Sequence, residues 1–299
     1  MPATVLRDQG LSSLIEGDVE ILGSGFQFTE GPLWLPDGSL LFQDLKADTT
    51  YRLKTGSSAE PLRQSTEAAN GQTFDSLGGI IFCEQNGRRV SRMNRDGTGV
   101  CTVAESYEGR RLNSPNDIIT SRSGRVYFTD PAYGVPSPEA KELPFQGVFA
   151  ISPDLTSVEL LLDDFEKPNG LALSPDERVL YVCDTGKYHV RAFDVDQNGN
   201  PDASSSRVFA TLDPGQPGGP DGMKVDRDGR VYVAVALGVW VFESSGKLLG
   251  ILELPKRPSN LAWSGVDGKT LAITMVDHVC QVRLNVSGMI PPFRDIIRA

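Results

Sequence analysis

The chain has 299 residues, 39% of them hydrophobic and 23% charged, with a formal net charge of −10. Such a balance fits a soluble globular protein with a sizeable core, and it excludes a nucleic-acid partner, because phosphate binding needs a basic face. No basic run is longer than Arg88-Arg89 or Arg110-Arg111.

The N-terminal stretch lacks the long apolar core of a signal peptide. Within it, Val19-Glu20-Ile21-Leu22 reads as a lone strand. Beyond it, helical periodicity is nearly absent, and short β-rich runs recur between turn dipeptides such as Asp37-Gly38, Asp96-Gly97, Asn198-Gly199 and Asp228-Gly229. Strands are expected at 125–130, 178–184, 230–235 and 269–275. The longest apolar stretch, Val231 to Phe242, is too short for a bilayer span and is interrupted by Gly238. A cytoplasmic protein with no membrane partner is expected.

Six segments align as a repeat, beginning near residues 29, 69, 114, 167, 219 and 257. Each runs from a polar landmark through an apolar strand and a Gly- or Asp-bearing turn into a second β-rich strand. The landmarks are Glu30, Asn70, Asn116, Asn169, Asp221 and Asn260, spaced by 40, 46, 53, 52 and 39 residues. A unit of four short strands in about 40–50 residues is the size of a propeller blade. The expected fold is all-β, a six-bladed β-propeller with four-stranded antiparallel blades around a central channel. It is read as one domain over 1–299, its ring closed by the strand near 19–22, since closure removes exposed sheet edges.

The innermost strand of a propeller blade starts at one face of the channel, so equivalent residues of six repeats converge. Here they are two carboxylates and four amides, poor strand residues whose burial is costly unless a cation is bound. Asn70, Asn169 and Asp221 precede Gly, and turn formation is the competing reading for each. Glu30 has no such alternative. Carboxylate and amide oxygens suit one divalent cation, Ca²⁺ first, with Mg²⁺, Mn²⁺ or Zn²⁺ as alternatives. Zinc normally takes His or Cys, and the only histidines, His189 and His278, fall in late or outer strands. The four cysteines, Cys83, Cys101, Cys183 and Cys280, form no CxxC unit and read as buried free thiols.

Five stretches together resemble the SMP-30/gluconolactonase/luciferin-regenerating-enzyme family: TEGPLW, LNSPNDI with GRVYFTDPAYG, PNGLALSPDERVLYVCDTG, PDGMKVDRDGRVYV with GVWVF, and PSNLAW with DGKTL. They cover about residues 26–285, and the third-blade stretch looks most like bacterial gluconolactonases. The resemblance implies metal ligands at Glu30, Asn116, Asn169 and Asp221. It implies substrate contacts at Asn113 and Arg111, with a solvated loop charge as the other reading of Arg111. Asp117 falls where some members have an acid/base carboxylate. Two departures stand out. Where organophosphate-hydrolysing cousins hold a second, structural calcium, this chain has Lys224 and Ala262, so the Lys224 ammonium is expected to fill that electrostatic role. The fifth and sixth blades read AVALGVW and TMVDHVCQV, which alters the pocket wall.

The activity implied is metal-dependent opening of a lactone such as gluconolactone, with the cation polarising the ring carbonyl. Asp221 or Asp117 would activate water, or Asp221 would attack directly. Asn113, Arg111, Tyr133 and Asn116 would orient the substrate. Alternatives are an organophosphate or aryl-ester hydrolase on the same cation, a relative recruited to non-hydrolytic chemistry, and a propeller scaffold for protein binding. The partner expected is a small-molecule lactone or ester.

Overall fold

The computed structural model describes residues 1–213, 215 and 217–296. Six antiparallel sheets, five of four strands and one of five, stand in a ring as the blades of a propeller. The blades span Thr29–Gln64, Ala69–Ala104, Ile118–Phe165, Pro168–Thr211, Met223–Glu253 and Pro258–Arg283. The first three strands of each blade follow chain order from the axis outward, and the first strand of each blade packs against the first strands of its two neighbours.

The strands form where β-branched and aromatic residues run between turn residues. Val126–Asp130, Val179–Asp184, Val231–Val235 and Thr270–Met275 each begin within a residue of the expected position. The interior lies between blades. Trp263 of the sixth blade meets Tyr232 of the fifth edge-on, with ring centroids 5.1 Å apart, and its indole N–H donates to the Val225 carbonyl at 2.9 Å. Each such fully buried side chain contributes roughly 1.5–3 kcal/mol through the surface it removes from water.

The ring is closed by both ends of the chain. Glu20–Ser24 pairs antiparallel with His278–Arg283 as the outer strand of the sixth blade. An additional strand, Val5–Leu6, pairs with Leu252 and Ile251 and covers the outer edge of the fifth blade. That second cover shortens the edge that the fifth blade offers another chain. Helical structure is confined to three short 3₁₀ turns, and among the described residues no helix is long and apolar enough to cross a membrane.

Three cysteines, Cys83, Cys183 and Cys280, are buried free thiols as expected. Cys101 is exposed, because it opens the outermost strand of the second blade, Cys101–Ala104. Neither histidine approaches the axis: His189 opens the third strand of its blade, and His278 pairs with Asp277 at 2.7 Å.

The six landmarks lie on or just before the innermost strands. Glu30, Asn70, Asn169 and Asn260 lie within their strands, and Asn116 and Asp221 come two residues before theirs. The Asn-Gly and Asp-Gly steps at 70–71, 169–170 and 221–222 are therefore not turns. Their glycines serve close approach between blades. A Cβ on Gly71 would lie 2.4 Å from Asp117 Oδ1, one on Gly170 2.3 Å from the Asp221 carbonyl, and one on Gly222 2.2 Å from Asn260 Oδ1. At Gly31 the obstruction is the Asn70 carbonyl, 2.0 Å away, and its φ of +50 adds a second reason for glycine. In four blades the ladder is also irregular at the landmark, between Glu30 and Leu33, Ala69 and Gln72, Pro168 and Leu171, and Pro258 and Asn260. Such bulges re-aim side chains, here into the channel.

Candidate active site

One mouth of the channel opens into a cavity of about 710 Å³ to which every blade contributes. Its floor holds Glu30, Asn70, Asn116, Asn169 and Asp221, five of the six landmarks. The sixth, Asn260, is buried beneath, with its amide in reach of both the Glu30 and Asp117 carboxyls.

Three of these floor residues are positioned by the same device. The Asp that ends the second strand of the blade takes two backbone N–H groups from the loop leading to the axis. Asp44 accepts from Gln27 and Phe28 at 2.8 and 2.9 Å, ahead of Glu30. Asp130 accepts from Asn113 and Ser114 at 2.8 and 2.7 Å, ahead of Asn116. Asp184 accepts from Glu166 and Lys167, both at 2.9 Å, ahead of Asn169. Hydrogen bonds to a carboxylate are the strong ones, so each floor residue enters the channel from a fixed backbone. Asp221 is held differently. The Thr185 hydroxyl donates to the Pro220 carbonyl at 2.6 Å and accepts from Asn169 Nδ2 at 3.1 Å, tying the fourth and fifth blades together at the floor.

The floor is short of positive charge. Burial, then the charge of Asp221, pushes the Glu30 carboxyl well above the ordinary range. Burial raises Asp221 to about 7 against the pull of Arg257, whose guanidinium reaches it only at 3.5 Å. Asn70 Oδ1 is buried without a hydrogen-bond partner. Two buried carboxylates, orphaned amide oxygen and no firm cation make a donor set that fits a hard divalent ion. Among the described residues no three His, Cys, Asp or Glu side chains gather as a ligand group. A cation here would need amide oxygens to complete its shell, a donor set that suits a hard ion better than zinc.

Tyr133 stands at the rim, 40% exposed, with its hydroxyl turned in to accept from Asn169 Nδ2 at 3.5 Å. Burial of that hydroxyl, and the nearby Asp221 charge, push it up to about 12. The other expected substrate contacts are placed elsewhere. Asn113 is fully buried outside the cavity lining, its Nδ2 donating to the Asp130 and Phe145 carbonyls at 3.2 and 3.0 Å. Arg111 is exposed on a short hairpin with Ser106–Tyr107, and its guanidinium donates to the Gly87 carbonyl at 2.9 Å.

Asp117 likewise does not line the cavity. Successive side chains of an extended backbone point to opposite sides, so Asn116 faces the cavity and Asp117 faces away. Asp117 Oδ1 accepts from the Ile118 amide at 2.9 Å. Burial raises its carboxyl, and the Lys224 ammonium and the Leu171 amide pull it back down. Lys224 donates to the Met223 carbonyl at 2.9 Å and, with Ala262, lines a small cavity of about 100 Å³ at the other end of the channel.

Several lining residues lie outside those expected from the repeat and the resemblance. Lys46 and Asp48, Gln85 and Asn86, and Thr185 come from the turns after the second strand of three blades, and Arg257 from the loop before the sixth. The acid that ends each of these second strands, Asp44, Glu84 and Asp184, is followed in register by Leu45-Lys46, Gln85-Asn86 and Thr185-Gly186, which is the signal that could have found them.

Residues 28–277 match the SMP-30/Gluconolactonase/LRE-like region. The chain is 33% identical over 293 residues to a gluconolactonase of Zymomonas mobilis, covering 90% of this chain and 82% of that one. A solved gluconolactonase structure from Xanthomonas campestris superposes with a TM-score of 0.84 at 31% identity, over 95% of this chain and 98% of the other. A regucalcin structure from Agrobacterium tumefaciens, described as calcium-binding, shares the fold at 18% identity with a TM-score of 0.78, over 94% and 98% of the two chains. Glu30, Asn116, Asn169 and Asp221 thus stand together on the axis of a propeller matched along most of its length, and the chain belongs to the SMP-30/gluconolactonase/LRE-like family.

Proposed function

We propose that the protein is a metal-dependent hydrolase that opens a lactone, with a sugar lactone as its substrate. The observation that carries this reading is the meeting of Glu30 and Asp221 with Asn116 and Asn169 on the floor of one roomy cavity. A scaffold would gain nothing from two costly buried carboxylates there. The relatives named gluconolactonase, similar over nearly the whole chain, support the substrate class.

Glu30, Asn116, Asn169 and Asp221 would hold a divalent cation, Ca²⁺ by the hardness of its oxygens. Bound there, it would supply Lewis acidity toward the lactone carbonyl and offset the charge that develops on that oxygen. Of the two carboxylates considered as base, Asp221 is the one that faces the cavity, so it is assigned to take the proton of the attacking water. Asn169 and Thr185 fix its neighbourhood. The Tyr133 hydroxyl and the amides of Gln85 and Asn86 offer donors and acceptors to substrate hydroxyls. Asp117, outside the cavity lining and within the field of Lys224, stays out of contact with substrate.

The test is acid release in a pH-stat from glucono-1,5-lactone and from aliphatic lactones, before and after chelation. Turnover on the sugar lactone that chelator removes and calcium restores supports the proposal. No release from any lactone with metal supplied contradicts it.

A further inference from the structure

The cavity wall is electrostatically lopsided. On the side formed by the first and sixth blades stand two cations, Lys46 and Arg257. Lys46 is exposed, and its ammonium lies 5.6 Å from the Phe28 ring centroid. No described carboxylate lies within salt-bridge distance of it. The wall's own acid, Asp48, is held by the loop before the second blade: its Oδ1 accepts from Thr66 Oγ1 at 3.0 Å and the Ala68 amide at 2.8 Å. Among the described residues Arg257 makes one loose hydrogen bond, with Asp221 at 3.5 Å, which leaves most of its five donors without a described partner. Its neighbour Lys256 is drawn instead to Asp277, at 3.7 Å. The opposite wall, with Gln85, Asn86, Tyr133 and Thr185, is polar and uncharged.

A planar guanidinium and an ammonium that share one wall and lack firm partners form an anion-binding subsite. We infer that Arg257 and Lys46 select a lactone carrying an anionic group, carboxylate or phosphate, on the carbon chain remote from the ring carbonyl. The inference rests on the lactonase reading for its substrate class and adds the charge. With the reacting carbonyl over the floor, the anion lies against the first- and sixth-blade wall, and the neutral wall takes the hydroxyls.

The experiment compares three substrates: glucono-1,4-lactone, which is neutral; glucaro-1,4-lactone, which replaces its terminal CH₂OH with carboxylate; and 6-phosphogluconolactone. Wild type should show a kcat/KM for at least one anionic lactone tenfold or more above the neutral one, and the difference should lie in KM and shrink with salt. Which anionic lactone shows the larger ratio assigns the group. In Arg257→Gln and in Lys46→Gln the anionic-to-neutral ratio should fall by about tenfold, the scale of a lost charge-assisted hydrogen bond. Arg257→Lys should keep part of it. A wild-type ratio near or below one, or a ratio unmoved by both Gln variants, overturns the inference and leaves the lactonase reading standing. If no lactone is opened, calorimetry with glucarate and gluconate decides separately. Tenfold tighter glucarate binding that is lost in Arg257→Gln supports the subsite, and equal binding overturns it.

Discussion

The amide of Gly170 donates to the carbonyl of Asp221 at 3.1 Å, and a side-chain carbon on Gly170 would lie 2.3 Å from that same oxygen. The landmark glycines therefore set how tightly the blades close on the axis. Gly170→Ala must push the fourth and fifth blades apart, and overpacking of this kind costs about 1–3 kcal/mol. Denaturant unfolding should show that loss, and activity should fall with it because Asp221 moves. Wild-type stability and turnover would mean that the blades yield freely at the axis.

Glu30→Gln and Asp221→Asn each keep the shape of the floor and remove one negative charge from a hard-cation site. Turnover should drop by a hundredfold or more, on the order of a lost group that acts on developing charge. The fold should persist, as read by circular dichroism. In chelator each variant should melt above wild type, since burial raises both carboxyls and the Asp221 charge raises Glu30 further.

Asp221 rises from 3.8 to about 7 on folding, chiefly through burial. A folded acid that holds its proton more tightly than the unfolded chain does contributes stability below pH 4, and that contribution is lost as the pH climbs through 7. In chelator, wild type should therefore lose stability relative to Asp221→Asn between about pH 4 and pH 7, by roughly 3 kcal/mol. Saturating calcium should cancel the difference. Melting both proteins across that range checks the sign, and a gap that narrows with rising pH in chelator would be the wrong one.

The charge of the Lys224 ammonium acts on Asp117 below the floor and lowers its carboxyl. Removing it leaves a buried carboxylate with the Ile118 and Leu171 amides and the Asn260 side chain but no cation to offset it, so Lys224→Met should cost about 1–3 kcal/mol. The number of cations bound should not change. Adding Asp117→Asn to that variant should recover much of the loss, whereas additive losses would separate the two residues. A Lys224→Met melt equal to wild type would mark Lys224 as a solvated charge.

The six floor and sub-floor landmarks were legible because a repeat fixes phase: Glu30 and Asp221 are 191 residues apart, yet each opens its blade at the same place. Strand positions followed from the same periodicity. The repeat did not reach what lies outside its phase. Arg257, Lys46 and Thr185 sit in loops whose direction depends on turns such as the left-handed Asp48, φ 52. Asn113 and Arg111 are close to Asn116 in sequence, but Asp130 draws the Asn113 amide into the blade and Gly87 draws the Arg111 guanidinium aside. Between Asn116 and Asp117, composition could not say which faces the cavity, and the alternation of an extended chain decides it. Val5–Leu6 is too short a run to carry a period.

One cation at the axis is the feature on which the proposed chemistry depends, and anomalous scattering from crystals soaked in a calcium surrogate such as Mn²⁺ tests it most directly. A single peak per chain is expected among Glu30, Asn116, Asn169 and Asp221, absent in Asp221→Asn. A peak elsewhere, or none in protein that still opens a lactone in chelator, would contradict it.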